Sequence, residues 1–223
     1  RKDTRKLFGG EVEHQLTVKD PELWSPETPV LYHADTEIYA GAAIDAGNSE
    51  GGPSISIKEG KILLDKATTR FGIRSIEVRP GKGFFLNGEM RKFQGVCMHN
   101  DFGPLGAAVN KSAIRHQLAI LKDMGCDAIR TSHDTPAKEL IELCDEMGLM
   151  VITGYSNHFR NNASVVMWCI GNKEELQETD LREDSTRPVT CAVDQLDNVL
   201  DSGLASQLDI VGLNHMTDRY PQA

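Results

Sequence analysis

Two textures of apolar and polar positions divide the chain. In the first, VEHQLTV (12–18) and LYHADTEIY (31–39) alternate, which is the period of a half-buried strand. Between them PELWSPETP carries three prolines and predicts a loop. GAAIDAGNSEGGPS (41–54) is Gly-rich and polar and predicts a mobile loop. SIKEGKILLD predicts a hairpin that turns at Glu59-Gly60. Short antiparallel strands at this spacing predict part of a β-sandwich over residues 1–78.

From about residue 79 the texture changes. KGFFLNGEMRKF predicts a hairpin around Asn87-Gly88. FQGVCM follows as an apolar strand. Ile114, Leu118 and Leu121 then fall on one helical face, and Gly125 ends the helix. DAIRTSH is a second strand. Thr135 can cap the next helix with Pro136 at its first position; Leu140, Leu143, Cys144 and Met147 form its inner face, and Gly148 stops it. LMVIT, VVMWCI, PVTCAV and DIVGLNHM supply four more strands. Strand–helix alternation predicts six parallel strands over residues 79–223, in a sheet or a (β/α) barrel.

The spacing conflicts with a complete barrel. A parallel crossover needs about a dozen residues or more, usually with a helix. Tyr155 to Ser164 is too short for that, and EELQETDLREDSTR has little apolar periodicity to bury. An eight-stranded barrel typically takes about 250 residues. The expectation is an incomplete TIM (β/α)8 barrel, from a larger enzyme with internal pieces and the C-terminal end missing.

Composition narrows the partners. The net charge of −9 disfavours nucleic acid and anionic membrane surfaces. No run of about 18 apolar residues predicts a membrane-spanning helix. RKDTRKLFGGEVEH has basic residues without an apolar core behind them, unlike a secretory signal. The compartment, cytoplasmic or periplasmic, and a homo-oligomeric state stay open. Cys97, Cys126, Cys144, Cys169 and Cys191 form no CxxC pair, so they read as free buried thiols and not as a disulfide framework or zinc site. No metal or cofactor is expected.

The ordered blocks WSPETPVLY, TTRFGIRSIE, GFFLNGE, HNDFGPLGAAV, RTSHDTPAKELIELCDEMG, VVMWCIGN and STRPVT resemble the signatures of glycoside hydrolase family 2, the family of β-galactosidases and β-glucuronidases. The resemblance runs from Trp24 to Tyr220. It implies an immunoglobulin-like β-sandwich leading into a TIM barrel. It also implies retaining hydrolysis of β-linked glycosides or oligosaccharides by two glutamates about 5–5.5 Å apart.

In the family the acid/base glutamate directly follows Gly-Asn at the end of the fourth barrel strand. Gly171 and Asn172 match, but Lys173 stands at the acid position. An ammonium is a poor donor to a glycosidic oxygen unless its pKa is strongly lowered. Glu174, one residue later, is the remaining catalytic candidate. Thr153-Gly154 replaces the family's Asp-Glu pair, and no block matches the strand that bears the nucleophile.

The resemblance further implies that His99, Asp101, Arg130, His133 and Asn172 bind substrate. Each has a plainer reading. His99 and Asp101 lie in HND, where Asn and Asp favour turns. His133 can cap the helix after its strand. Arg130 should line the barrel and needs a carboxylate partner. Trp168 can stack on sugar, but its apolar run favours core packing. Asn214 and His215 end the sixth strand as weaker candidates. His14 and His33 have no expected role, and Lys111 and Arg115 read as solvated. The leading function is a retaining β-glycosidase, with β-galactosidase the first choice. The alternative is a non-catalytic carbohydrate-binding protein or an inactive fragment of the same fold.

Overall fold

The computed structural model describes residues 13, 15–40, 43–49, 52–58, 62–172 and 184–216. Strand β1 (Tyr32–Ala40) pairs antiparallel with β4 (Ile62–Phe71), from Tyr32↔Phe71 to Ala40↔Ile62. Strand β2 (Ala43–Ser49) pairs antiparallel with β3 (Gly52–Lys58). Segment 41–54 therefore carries strand where its composition predicted a loop. Backbone ladder bonds need no apolar side chains, so Gly-rich texture misleads there. The two halves of SIKEGKILLD pair with β2 and β1 and not with each other, which corrects the expected hairpin. Glu59-Gly60 itself lies outside the described residues. VEHQLTV is not strand at Glu13 or at residues 15–18. Leu16 there is 83 % exposed, so its alternation serves no buried face.

The proline-rich loop is anchored by one side chain. Trp24 is fully buried and its Nε1 donates to the Asp145 carbonyl at 2.9 Å. Its own carbonyl accepts from Asn87 Nδ2 at 3.0 Å. Lys122 Nζ donates to the carbonyls of Pro26 and Gly148, at 3.2 and 3.0 Å. Gly148 has φ +71°, and a Cβ there would lie 2.3 Å from the Pro26 oxygen, so only glycine fits.

Strands β5 (Ile76–Arg79), β6 (Gly83–Leu86) and β7 (Glu89–Arg91) form an antiparallel sheet. Asn87 and Gly88 both have positive φ, as the expected two-residue hairpin turn requires. Phe84 and Leu86 pack with Ala128, Met150, Val166 and Met167, plugging the start of the next sheet.

That sheet is the main body. Strands β8 (Gly95–Met98), β9 (Ala128–Thr131), β10 (Met150–Thr153), β11 (Val165–Asn172), β12 (Val189–Val193) and β13 (Ile210–Leu213) lie in chain order, all parallel. The six expected strands are present, as a curled, incomplete (β/α)8 barrel. Side chains alternate between two cores. Ile129 and Val151 face helices α1 (Lys111–Asp123) and α2 (Lys138–Met147), while Ala128 and Met150 face the plug. Helix α1 is capped by Asn110, whose Oδ1 accepts from Ala113 N. Helix α2 starts after Ala137 without a side-chain cap, so Thr135 is not its cap. Pro136 and Ala137 stand between Thr135 and the helix, and Ala137, at the cap position, is extended with φ −61° and ψ 143°. Helix α3 (Leu196–Asp201) follows β12.

The crossover from β10 to β11 carries one 3-10 turn, Asn157–Phe159, and no α-helix. A buried ion pair braces it instead. Arg187 Nη1 donates to Asp184 Oδ2 at 2.6 Å, with both side chains almost fully buried. Its other donors reach the carbonyls of Val165, Arg160 and Asn162. Trp168 Nε1 and Thr186 also donate to the Asp184 carboxylate. Nearby Asp145 accepts from Asn162 Nδ2 and Ser164 N, tying α2 to the same crossover.

All five cysteines are free thiols. Cys144 and Cys191 are buried, but Cys97 is exposed and Cys126 and Cys169 are half-buried, which corrects the expectation that all five are interior. Cys97 lies on β8, an edge strand of this sheet, so an apolar run does not guarantee cover there.

Trp24→Ala should cost about 3–5 kcal/mol, the range for emptying a buried aromatic site. Leu16→Ala should cost almost nothing. Denaturant midpoints check both, and equal effects would contradict the anchoring role.

Acid should probe the brace. Burial works against the Asp184 carboxylate, but donors from Thr186, Trp168 and Arg187 outweigh it and hold its pKa down at about 2. Its contribution is complete above the ordinary carboxylate value of about 3.9 and is lost as pH falls towards 2. Burial raises Asp145, which has the opposite sign and is common to wild type and variant. Asp184→Asn should lower stability by about 3 kcal/mol at neutral pH, as breaking a buried pair does. It should also flatten the loss between pH 5 and 2. Parallel pH profiles of the two proteins would contradict this.

Candidate active site

In a parallel barrel the strands' C-terminal ends share one face, and polar groups gather there. His99 and Asp101 follow β8. Arg130 lies in β9, and His133 stands just beyond that strand. Thr153 ends β10, Asn172 ends β11, and Asn214 and His215 follow β13. Topology thus carries these residues to the same end of one sheet.

The two imidazoles meet. The rings of His99 and His133 lie 5.8 Å apart and edge to face, both exposed to solvent. Asp101 is partly used by its own turn: Oδ1 accepts from Gly103 N at 2.8 Å, and its carbonyl accepts from Gln117 Nε2 at 3.2 Å. The turn reading and the ligand reading of Asp101 are therefore compatible, through different oxygens. A cavity of about 310 Å³ opens beside β8, lined by Val96, Cys97, Met98, His99, Asp101, Gln117, Ile120 and Leu121. His133 and Arg130 do not line it.

Arg130 reaches two thiols, with Nη1 3.9 Å from Cys97 Sγ and Nη2 3.5 Å from Cys169 Sγ. These sulfur contacts were not anticipated. A signal existed: Cys97 and Arg130 are register partners in adjacent strands, and like positions face the same way. Beside them Thr131 Oγ1 and Thr153 Oγ1 are buried and 2.8 Å apart.

Trp168 is no sugar platform. It is buried, meets Tyr155 edge to face at 5.2 Å, and gives its Nε1 to Asp184. Arg115, expected to be solvated, pairs with Glu146 at 2.8 Å, and the other Glu146 oxygen takes Arg70. The Asn172 backbone lies in β11 opposite Ala192, just past a register irregularity. Lys173 and Glu174 lie outside the described residues. The described strand ends offer imidazoles, a guanidinium and a carboxylate, groups suited to hydrogen-bonding hydroxyls.

A parallel sheet with its helices outside, an antiparallel plug beneath and polar side chains at the strands' C-terminal ends defines a TIM-barrel-type α/β protein. The chain belongs to glycosyl hydrolase family 2. Residues 76–157 match the family's TIM barrel domain, and residues 1–49 match a second model of the family. These matches and the solved relatives place an incomplete TIM barrel after part of the family's immunoglobulin-like sandwich.

Among similar proteins, the beta-galactosidase BoGH2A of Bacteroides ovatus is 37 % identical over 222 residues, covering 87 % of this chain and 23 % of that protein. A beta-glucuronidase of Streptococcus agalactiae is 32 % identical over 150 residues, covering 67 % of this chain and 22 % of that one. The crystal structure of a family 2 member from Bacteroides cellulosilyticus superposes with a TM-score of 0.71 at 27 % identity, covering 91 % of this chain and 29 % of that one. The chain thus spans under a quarter of the length of these two sequence relatives.

The threonine pair yields a double-mutant test. Thr131→Val should leave the Thr153 hydroxyl buried without its partner and cost about 1–3 kcal/mol. Adding Thr153→Val should recover most of that loss, since neither polar group then remains. Additive losses in thermal or denaturant unfolding would contradict the bond.

Proposed function

We propose that this chain is part of a retaining β-glycosidase that acts on β-linked glycosides or oligosaccharides, with a β-galactoside the first choice. The observation that carries the reading is the set of polar strand ends on a family 2 barrel. The names of the relatives support both galactosides and glucuronides. In this reading residues 1–78 are the sandwich portion and 79–223 the barrel portion. His99, Asp101, His133 and Asn172 hold sugar hydroxyls, and Arg130 is a further substrate-binding residue from β9. Glu174 is the acid candidate.

One observation favours a second reading. Lys173 occupies the family's acid position, so this chain can bind sugar without cleaving it. General acid catalysis is worth about 10²–10⁴-fold, and a charged ammonium does not supply it near neutral pH.

Calorimetric titration with a non-hydrolysable thio-β-galactoside tests binding. His133→Ala and Asn172→Ala should each weaken it about tenfold, the worth of one hydrogen bond to a buried polar partner. Lys19→Ala, in an exposed loop, should leave it unchanged. Absence of binding, or equal effects of all three changes, would contradict the site. The 223-residue chain should not turn over nitrophenyl β-galactoside. Turnover that Glu174→Gln abolishes would show that Glu174 serves as the acid after all.

A further inference from the structure

Two arginines converge on one carbonyl. Arg74, in the segment between β4 and β5, donates Nη2 to the Val165 oxygen at 2.6 Å. Arg187, from the connection before β12, donates Nε to the same oxygen at 2.8 Å. A carbonyl oxygen has two lone pairs, and two charged donors occupy them. Val165 is the first residue of β11.

The register of β11 changes at that point. Val151 pairs with Val165, but Ile152 pairs with Met167, so β11 holds one extra residue, Val166. The faces record the insertion. Val165 packs in the helix-side core, Val166 and Met167 both pack in the plug-side core, and Trp168 returns to the helix side. Cys169 then faces the barrel interior, where its sulfur meets Arg130. Without the extra residue, strict alternation would reverse the side chains that follow as far as Cys169, beyond which a second irregularity intervenes before Asn172. Trp168 would enter the interior and lose Asp184, and Cys169 would leave Arg130.

Arg74 is suited to little else. Its Nε finds no acceptor among the described residues, and no carboxylate touches it there. Burial, with repulsion from Arg187 added, pulls its pKa down to about 9, so it stays charged at neutral pH. A largely desolvated cation placed beside another cation is costly unless its one strong bond matters.

We propose that Arg74 and Arg187 are positioning residues: together they hold the Val165 carbonyl, fix the extra residue in β11, and so set which side chains of that strand, as far as Cys169, face the barrel interior. The consequence for substrate rests on the reading of Asn172 as a sugar ligand. The register does not.

The experiment is solution NMR of the whole chain with labelled methyl groups and indole nitrogens. In wild type, the Val166 and Met167 methyls should both show contacts to Phe84, Leu86 or Met150. Arg74→Met is the deciding variant, because it leaves the Asp184–Arg187 pair in place. It should remove at least one of those methyl contacts and raise hydrogen exchange at the Trp168 indole about tenfold or more, the size of roughly one lost hydrogen bond. The Trp24 indole should not change. Arg74→Lys, which keeps a charged donor, should restore the wild-type pattern. Arg187→Met should act like Arg74→Met and more strongly; failure of that variant to fold would leave the decision with Arg74→Met. Native methyl contacts and an unchanged Trp168 indole in Arg74→Met would overturn the proposal. So would equal rises at both indoles, which signal general loosening. The two readings are separated by their signals. The methyl contacts and the Trp168 indole decide the clamp, and titration of Asn172→Ala with the thio-β-galactoside decides the role of Asn172, because a second register irregularity lies between Cys169 and Asn172.

Discussion

A parallel sheet must carry its chain back from the end of one strand to the start of the next, and the return needs something to pack against the sheet. Between β10 and β11 this protein has no α-helix for that task. The Arg187–Asp184 pair takes it over. One guanidinium satisfies carbonyls at Arg160, Asn162 and Val165, so the short crossover is held by hydrogen bonds and not by an apolar helix face. Burying two charges is costly, and it is tolerable here because nearly every donor and acceptor is used. The strand that the brace holds is the one that ends in Gly171-Asn172.

The same economy appears where the sandwich portion meets the barrel. Trp24 fills a site against the end of α2, and Gly148 lets the Pro26 carbonyl approach where any side chain would collide. Arg70 on β4 and Arg115 on α1 share Glu146 of α2. These contacts link elements far apart in sequence, so an apolar pattern read locally does not reveal them.

Much of the barrel was legible in the sequence, because period and punctuation agree there. Ile114 and Leu118 fall on one face of α1, and Gly148 stops α2 in a left-handed conformation. The Asn87-Gly88 turn likewise follows from residues that accept positive φ. The sandwich portion was less legible. Strands β2 and β3 pair through ladder bonds in a Gly-rich, polar stretch whose composition reads as loop, and Leu16 in the alternation before them is exposed. Thr135 failed as a cap because Pro136 and Ala137 separate it from the helix. At the candidate site, sequence identified strand ends but not neighbours. It offered His99 and His133 separately, and only the fold sets their rings together. It proposed a carboxylate for Arg130, and the fold supplies two thiols among its contacts.

The proposed function places a sugar across the C-terminal strand ends of this barrel. Mapping backbone amide shifts while a thio-β-galactoside is titrated into the 223-residue chain tests that most directly. The shifts should cluster at residues 99–101, 130–133, 171–172 and 214–215 and leave β1 and β4 unmoved. Shifts centred on β1 and β4, or none at sugar concentrations that saturate a millimolar site, would contradict it.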